Sequence, residues 1–274
     1  MRYPLVVYLV LILMSSCSKN EGFGEAIPIE MNTNYFPLTT DNHWTYRNAY
    51  EFSEESQVFD EAMRVKDSID EDETISYRFS SNLDTKQKGI GTSLLTNGKL
   101  TKVEEKLIFN GAFLVHLPVL DDTLALPLHN LILLDQNIGD DKRLSQHKGT
   151  VEDFIDLNAN DTLLPVSYTY ELKTISGQKY KSFEVINDEY EDVISTQLEL
   201  DLSASVTLPD GYDLEILVEQ EVLSSTFRFA KEVGLISVES ELNVDFEDLS
   251  EFSLNHLKSD SGVSTQFLED YSLR

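Results

Sequence analysis

"ISTQLELDLSASVTLPDGYDLEILV" runs from Ile194 to Val218. Ile194, Leu198, Leu200, Leu202, Ala204, Val206 and Leu208 share one parity, with mostly polar residues between them. A strand sends successive side chains to opposite faces, so this pattern marks a strand with one buried and one wet face. Pro209-Asp210-Gly211 breaks the alternation with residues suited to a turn, and Tyr212, Leu214, Ile216 and Val218 resume it. The reading is a long antiparallel hairpin that gives one face to a core.

The same signal recurs on either side. "EAMRVKDSI" (Glu61 to Ile69) and "TISYRFS" (Thr74 to Ser80) flank Asp70-Glu71-Asp72-Glu73 and read as a second hairpin. Asn97-Gly98, Asn110-Gly111 and Ser176-Gly177 are expected to be further hairpin turns, because each supplies a residue that tolerates positive φ. "GIGTS" (Gly89 to Ser93) lacks the lysine of a phosphate loop and reads as strand with turn. "EDLSEFSLNHL" (Glu247 to Leu257) is the best short helix, with a loop as the alternative. The fold class is therefore mainly β: an antiparallel curved sheet, incomplete barrel or sandwich, with few short helices.

"AFLVHLPVLDDTLALPLHNLILL" (Ala112 to Leu134) is more apolar than its surroundings. Pro118, Asp121, Asp122 and Pro127 interrupt it, so it is no membrane-spanning helix. Two readings stand: strands buried on both faces, or strands lining an apolar cavity for a lipid or other small ligand.

The N-terminus, "MRYPLVVYLVLILMSSCSKNE", carries Arg2, an apolar run from Leu5 to Met14, then Ser15, Ser16 and Cys17, the one cysteine of the chain. The run has the length of a signal-peptide core and falls short of the roughly 20 residues that span a bilayer. Leu13-Met14-Ser15-Ser16-Cys17 resembles the lipobox of bacterial lipoproteins, with Met14 a departure from the usual residue at its position. The resemblance implies a signal peptide over residues 1–16 and acylation (palmitate) of Cys17. It also implies a membrane anchor of two or three chains, where one alone holds only marginally. The alternative is a secretory signal with an incidental cysteine. A polar tether follows within residues 17–33, and a single β-rich domain occupies 34–274. The formal charge of −28 argues against nucleic acid as a partner, and against a basic patch on anionic lipid.

"NYFPLTTDNHWTYR" begins this domain, and Tyr35, Phe36, Pro37, Leu38, Asn42, Trp44 and Tyr46 resemble the "YFPL…GNxWxY" opening of a family of Bacteroidota lipoproteins. "SGQKYKSFEVI" (Ser176 to Ile186), "STFRFAKEVGLISVE" (Ser225 to Glu239) and the closing "TQFLEDYSLR" resemble later motifs of that family, in the same order. Asp41 and Glu232 stand where the family commonly has glycine. The resemblance implies an anchored, β-rich envelope protein and brings no activity with it. On the residues alone, Trp44 and Tyr46 lie two apart on one strand face and fill a core, with an aromatic sugar platform as the alternative; Gly234 suits a bulge or a close backbone approach.

The residues offer little chemistry. Nucleophile elbows, His-Glu-x-x-His and phosphate loops are missing from the sequence. His43, His116, His129, His147 and His256 lack metal-ligand spacing, so no metal or cofactor is expected. Asp156, Asn158, Asn160 and Asp161 imitate the start of a calcium loop, but Asp161 stands where glycine is wanted and Ser167 where a bidentate glutamate is wanted. Asp67-Ser68-Ile69, Asp122-Thr123-Leu124 and Asp161-Thr162-Leu163 resemble the Bacteroidota O-glycosylation triplet, which would place sugars on Ser68, Thr123 and Thr162.

The expectation for function is a non-enzymatic envelope lipoprotein, structural or interaction-mediating. It would sit on the outer membrane facing the periplasm, with surface display as the alternative, and an envelope protein or apolar ligand would be its partner. A ligand binder with an apolar cavity and a hydrolase with an unrecognised site are the other readings.

Overall fold

The computed structural model describes residues 34–52, 55–71, 74–83, 88–117, 122–156, 163–248 and 259–274. They fall in one compact unit, Asn34–Arg274. Residues 1–33, with Cys17 and the tether, lie outside the described residues.

The strands are β1 (His43–Phe52), β2 (Glu55–Glu71), β3 (Thr74–Ser81), β4 (Gly98–Val103), β5 (Lys106–Leu117), β6 (Asp122–Asp135), β7 (Arg143–Asp156), β8 (Leu163–Val185), β9 (Asp188–Thr207), β10 (Asp213–Ala230), β11 (Gly234–Val244) and β12 (Asp260–Ser272). One helix, α1 (Ile90–Thr96), stands between β3 and β4. The strands form one sheet in the order β6-β5-β4-β3-β2-β1-β12-β11-β10-β9-β8-β7, antiparallel throughout. This is the curved antiparallel sheet that the alternation demands, rolled into an incomplete barrel.

The barrel's two edges, β6 and β7, meet without a ladder. Thr174 Oγ1 on β8 donates to the Ile132 carbonyl of β6 at 2.8 Å, and the Tyr170 hydroxyl donates to the Pro127 carbonyl at 2.9 Å. A β6 lying beside β7 would be two strand spacings from β8, about 9–10 Å, which a threonine hydroxyl cannot bridge. β6 is therefore lapped against the inward face of β7–β8. Gly149 of β7 pairs with Tyr170, and a Cβ on it would lie 2.7 Å from the tyrosine hydroxyl, so glycine leaves the passage for that ring. Ser145 Oγ completes the closure, accepting from Ile132 N at 3.2 Å and bonding Thr174 Oγ1 at 2.6 Å. Pro127, without an N–H, suits an edge that makes no ladder.

Burial inside the barrel and, at one end, in the lap accounts for the apolar character of the described residues of 112–134. Phe113, Val115, Leu124, Leu126 and Leu128 are buried on the barrel's inner side. Beyond Asn130, whose φ is +58°, Leu131, Leu133 and Leu134 are all buried, because that end of β6 is covered on both faces.

The hairpin over residues 194–218 forms as β9–β10, with Thr207 opposite Asp213. Leu198, Leu200, Leu202, Ala204 and Val206 are buried. Two expected inward residues are not: Tyr212 belongs to the turn and is 61% exposed, and Val218 is 44% exposed. Register shifts between Glu215 and Leu217, and again between Leu217 and Gln220, turn Val218 outward. In the turn, Gly211 donates to the Leu208 carbonyl at 2.8 Å with φ +84°. A Cβ there would meet nothing within 4 Å, so Gly211→Val carries a purely backbone penalty of about 1–2 kcal/mol. We expect the melting temperature to fall by about 2–4 °C for each of those kcal/mol; an unchanged value in a thermal melt contradicts the assignment.

β2 and β3 pair as read, with Asp70 opposite Ile75. The other three expected turns are corrected. Gly98 and Gly111 face each other within the β4–β5 ladder, where a Cβ on either would strike backbone at about the same short range, 2.3 and 2.4 Å. Ser176-Gly177 sits inside β8 at a register shift that ends at Lys179. Those glycines serve close approach and irregular pairing instead of chain reversal. "GIGTS" is also corrected: Ile90 to Ser93 are helical. Glu247 to Leu257 lies mostly outside the described residues.

Candidate functional site

Inward positions of the sheet divide the barrel interior into an aromatic part and a polar part. The aromatic part is built by Phe36, Trp44, Tyr46, Phe79 and Phe229, all buried. Phe36 stacks on Trp44 with centroids 5.3 Å apart and meets Phe79 and Phe229 edge-on at 5.7 and 6.1 Å. Trp44 Nε1 donates to the Val233 carbonyl at 2.7 Å, and the Tyr46 hydroxyl donates to the Leu235 carbonyl at 3.0 Å. The two residues thus grip the chain on both sides of Gly234. Its φ is +110°, and a Cβ there would lie 3.2 Å from Trp44 Nε1. Trp44, Tyr46 and Gly234 form one packed unit inside the barrel, with no exposed ring to serve as a sugar platform.

The segment before β1 is stitched to the chain's end. Asn42 Nδ2 donates to the Pro37 carbonyl, Arg274 N donates to Asn42 Oδ1, and Arg274 pairs with Asp41 at 2.8 Å. Asp41 and Glu232, the two residues that replace glycine in the resembled motifs, have φ of +72° and +59°. The left-handed backbone is present at both positions.

The polar part surrounds Glu61 of β2, which is fully buried. Asn48 on β1 and Gln266 on β12 are opposite each other in the ladder, and the parity that turns Trp44 and Tyr46 inward brings Asn48 in with them. Glu61 Oε1 accepts from Ser81 Oγ at 2.8 Å; Oε2 accepts from Gly89 N at 3.0 Å and Asn48 Nδ2 at 3.3 Å. Gln266 Oε1 accepts from Gly91 N at 3.0 Å, and its Nε2 donates to Thr92 Oγ1 at 2.7 Å. Tyr50 donates to the Lys88 carbonyl. These side chains hold α1, a helix too short to persist alone, while Leu94 and Leu95 bury its other side. Burial raises the Glu61 pKa above the ordinary glutamate value, and the bonds from Gly89, Ser81, Thr92 and Asn48 oppose that rise. An enclosed carboxylate saturated by protein donors is a fastening for the helix.

Sequence reasoning passed over Glu61, Asn48 and Gln266. For two of them the signal was available: Glu61 and Asn48 are polar residues at positions whose parity is otherwise apolar, as in Glu61, Met63, Val65 and Tyr46, Asn48, Tyr50, whereas Gln266 follows Ser264 and gives no such contrast. It also missed that His129 and His147, 18 positions apart, are brought together by the lap, where His129 acts electrostatically on His147.

The remaining expected sites are placed as follows. Ser68 is exposed on β2, but its neighbour Asp67 accepts from Arg78 Nε and Nη2, each at 2.7 Å. Thr123 is half-buried on β6. Asp156 ends β7, while Asn158, Asn160, Asp161 and Thr162 lie outside the described residues. On the outer wall, β10, β11 and β12 carry a shallow groove of about 330 Å³ lined by Ser224, Thr226, Glu239, Glu241, Val263 and Thr265. Glu239 is already paired with Arg228 at 3.0 Å, which also stacks on Phe183.

No family model and no curated protein matches this chain. A solved structure with a YmcC-like fold from Bacteroides fragilis is similar over 86% of this chain and 98% of its own, at 9% identity and a TM-score of 0.32. A likeness that loose bears on neither mechanism nor partner.

Proposed function

We propose that the protein is a lipid-anchored envelope protein without catalytic activity, which holds a packed β-barrel domain at a membrane for a structural or partner-binding role. One observation carries the reading: the one cysteine of the chain falls where a signal-peptide core ends. The interior supports the non-enzymatic part, since its buried carboxylate is spent on α1 and its aromatic residues on packing. The ligand-binding alternative rests on the apolar run 112–134, whose described residues turn Phe113, Val115, Leu124, Leu126 and Leu128 into the packed interior. Attachment to the outer membrane, with the domain facing the periplasm, completes the proposal.

Cys17→Ala tests the anchor. The wild-type protein should sediment with membranes after a high-salt wash and the variant should appear in the soluble fraction, because the lipid is the hydrophobic attachment proposed. A variant that still sediments refutes the anchor. Protease added to intact cells tests the face: rapid loss of the domain overturns the periplasmic placement and leaves the anchor standing.

A further inference from the structure

The lap closes the barrel through side chains. His147 sits at its centre. It is on β7, with the inward parity of Ser145 and Gly149, and its Nε2 is buried with no hydrogen-bond partner. His129 lies on the outward side of β6, three residues from Ile132 and two from Pro127, whose backbone groups take the closing bonds.

We propose that this lap is a proton-sensitive closure, in which protonation of His147 opposite His129 releases the β6 edge while the remaining ladders stay intact. A neutral imidazole tolerates the site. Protonated Nε2–H would be a charged donor buried without an acceptor, which is the costliest way to bury a polar group.

The surrounding groups offer it no relief. From β6 the ionisable group that acts on it is His129, and a second positive charge there adds repulsion. Asp135, further along β6, is paired with Lys106. On β8, His147 pairs with Leu172; the flanking Glu171 is taken by Lys148 and the flanking Lys173 by Asp201. Tyr170 spends its hydroxyl on Pro127. On β7 itself, Arg143 bonds Gln146, and Asp153 accepts from Phe154 N.

Burial first, and His129 second, lower the His147 pKa from the ordinary histidine value. The unfolded or opened chain therefore takes up the proton more readily than the closed one. The closure is at full strength above about pH 6.5 and weakens as pH falls below it. The edge is poised to respond because no backbone ladder joins β6 to β7.

Hydrogen–deuterium exchange of the full chain at pH 7.5 and 5.5, corrected for intrinsic rates, tests this. Peptides from residues 124–135 should lose protection several-fold at pH 5.5, with a ceiling of about tenfold set by an ordinary imidazole in the opened state, while β9, β10 and β11 keep theirs. His147→Phe, which cannot take the proton, should abolish the loss. His129→Gln keeps His147 and should reduce the loss, which guards against a first variant that misfolds. Unchanged protection of β6 in the wild type overturns the proposal, as does an equal loss in His147→Phe or a loss shared equally by every strand.

Discussion

Trp44→Ala is expected to cost about 3–5 kcal/mol, the range for emptying a large aromatic site in a packed core. Trp44 is fully buried, stacks on Phe36 at 5.3 Å and lies 6.4 Å from Phe79. Its loss removes a wall from the Phe36 site and the indole donor to the Val233 carbonyl, at the bend where Gly234 adopts φ +110°. Trp44→Phe separates the two effects. It keeps most of the packing and strips the Nε1–H, so about 1–3 kcal/mol should be lost for the unsatisfied carbonyl. Urea denaturation followed by circular dichroism measures both, since the chain has a single tryptophan and the variants lose its fluorescence. A loss under 1 kcal/mol for the alanine variant would remove this cluster from the centre of the fold.

Glu61→Leu is the second large expected effect, about 3 kcal/mol. Leucine approximates the volume but leaves Gly89 N, Ser81 Oγ and the Asn48 amide without an acceptor in a fully buried place. Glu61→Gln should cost less, about 1 kcal/mol, because its Nε2 can take the place of Oε1, where the Ser81 hydroxyl can turn to accept, while its oxygen keeps the bonds from Gly89 N and Asn48 Nδ2. The two also differ in pH dependence. The folded Glu61 pKa is raised, so between its unfolded value and its folded one the native state holds more protons. That group's contribution is most favourable below the unfolded pKa of about 4.5 and declines as pH rises through the folded pKa. His147 acts in the opposite sense below about pH 6.5. The diagnostic quantity is thus the difference between wild type and Glu61→Gln, which should move in favour of the wild type as pH is lowered from 7 to 5. A constant difference means that Glu61 does not titrate as its burial dictates.

Strand parity was readable because one buried face imposes a period of two on any sequence that must satisfy it. Leu198 to Val206 and Trp44 to Tyr46 obey it without correction, while Val193 to Thr196 are buried on both faces. Turns were less readable, since glycine answers several needs: Gly211 makes a turn, whereas Gly98 and Gly111 let two backbones approach. The helix at Ile90 was invisible for a different reason. Its own residues favour strand, and what makes it helical is a carboxylate 29 positions earlier and a glutamine 176 positions later. The lap was unreadable, since the apolar run Ala112 to Leu134 fitted a doubly covered strand and a cavity wall equally, and both faces are covered only beyond Asn130. Sequence gives a strand's faces; where a sheet overlaps itself depends on the curvature of all twelve strands.

The strand order has a consequence for how the chain comes together in time. β1 to β6 and β7 to β12 are two six-stranded meanders in which every neighbour is also a neighbour in sequence, and the first and last strands join them at the middle of the sheet. Hairpins within each meander close short loops and form early, but the β1–β12 seam joins residues more than 200 positions apart, such as Asn48 and Gln266. Arg274, just after β12, fastens Asp41 and Asn42 just before β1. The pairing of β12 with both β1 and β11 therefore waits until that strand has been synthesised. Until then the emerging chain can organise most of its meanders but cannot join them. The two meanders are contiguous halves linked through residues 136–142, so a chain nicked in that turn retains every ladder that holds the halves together.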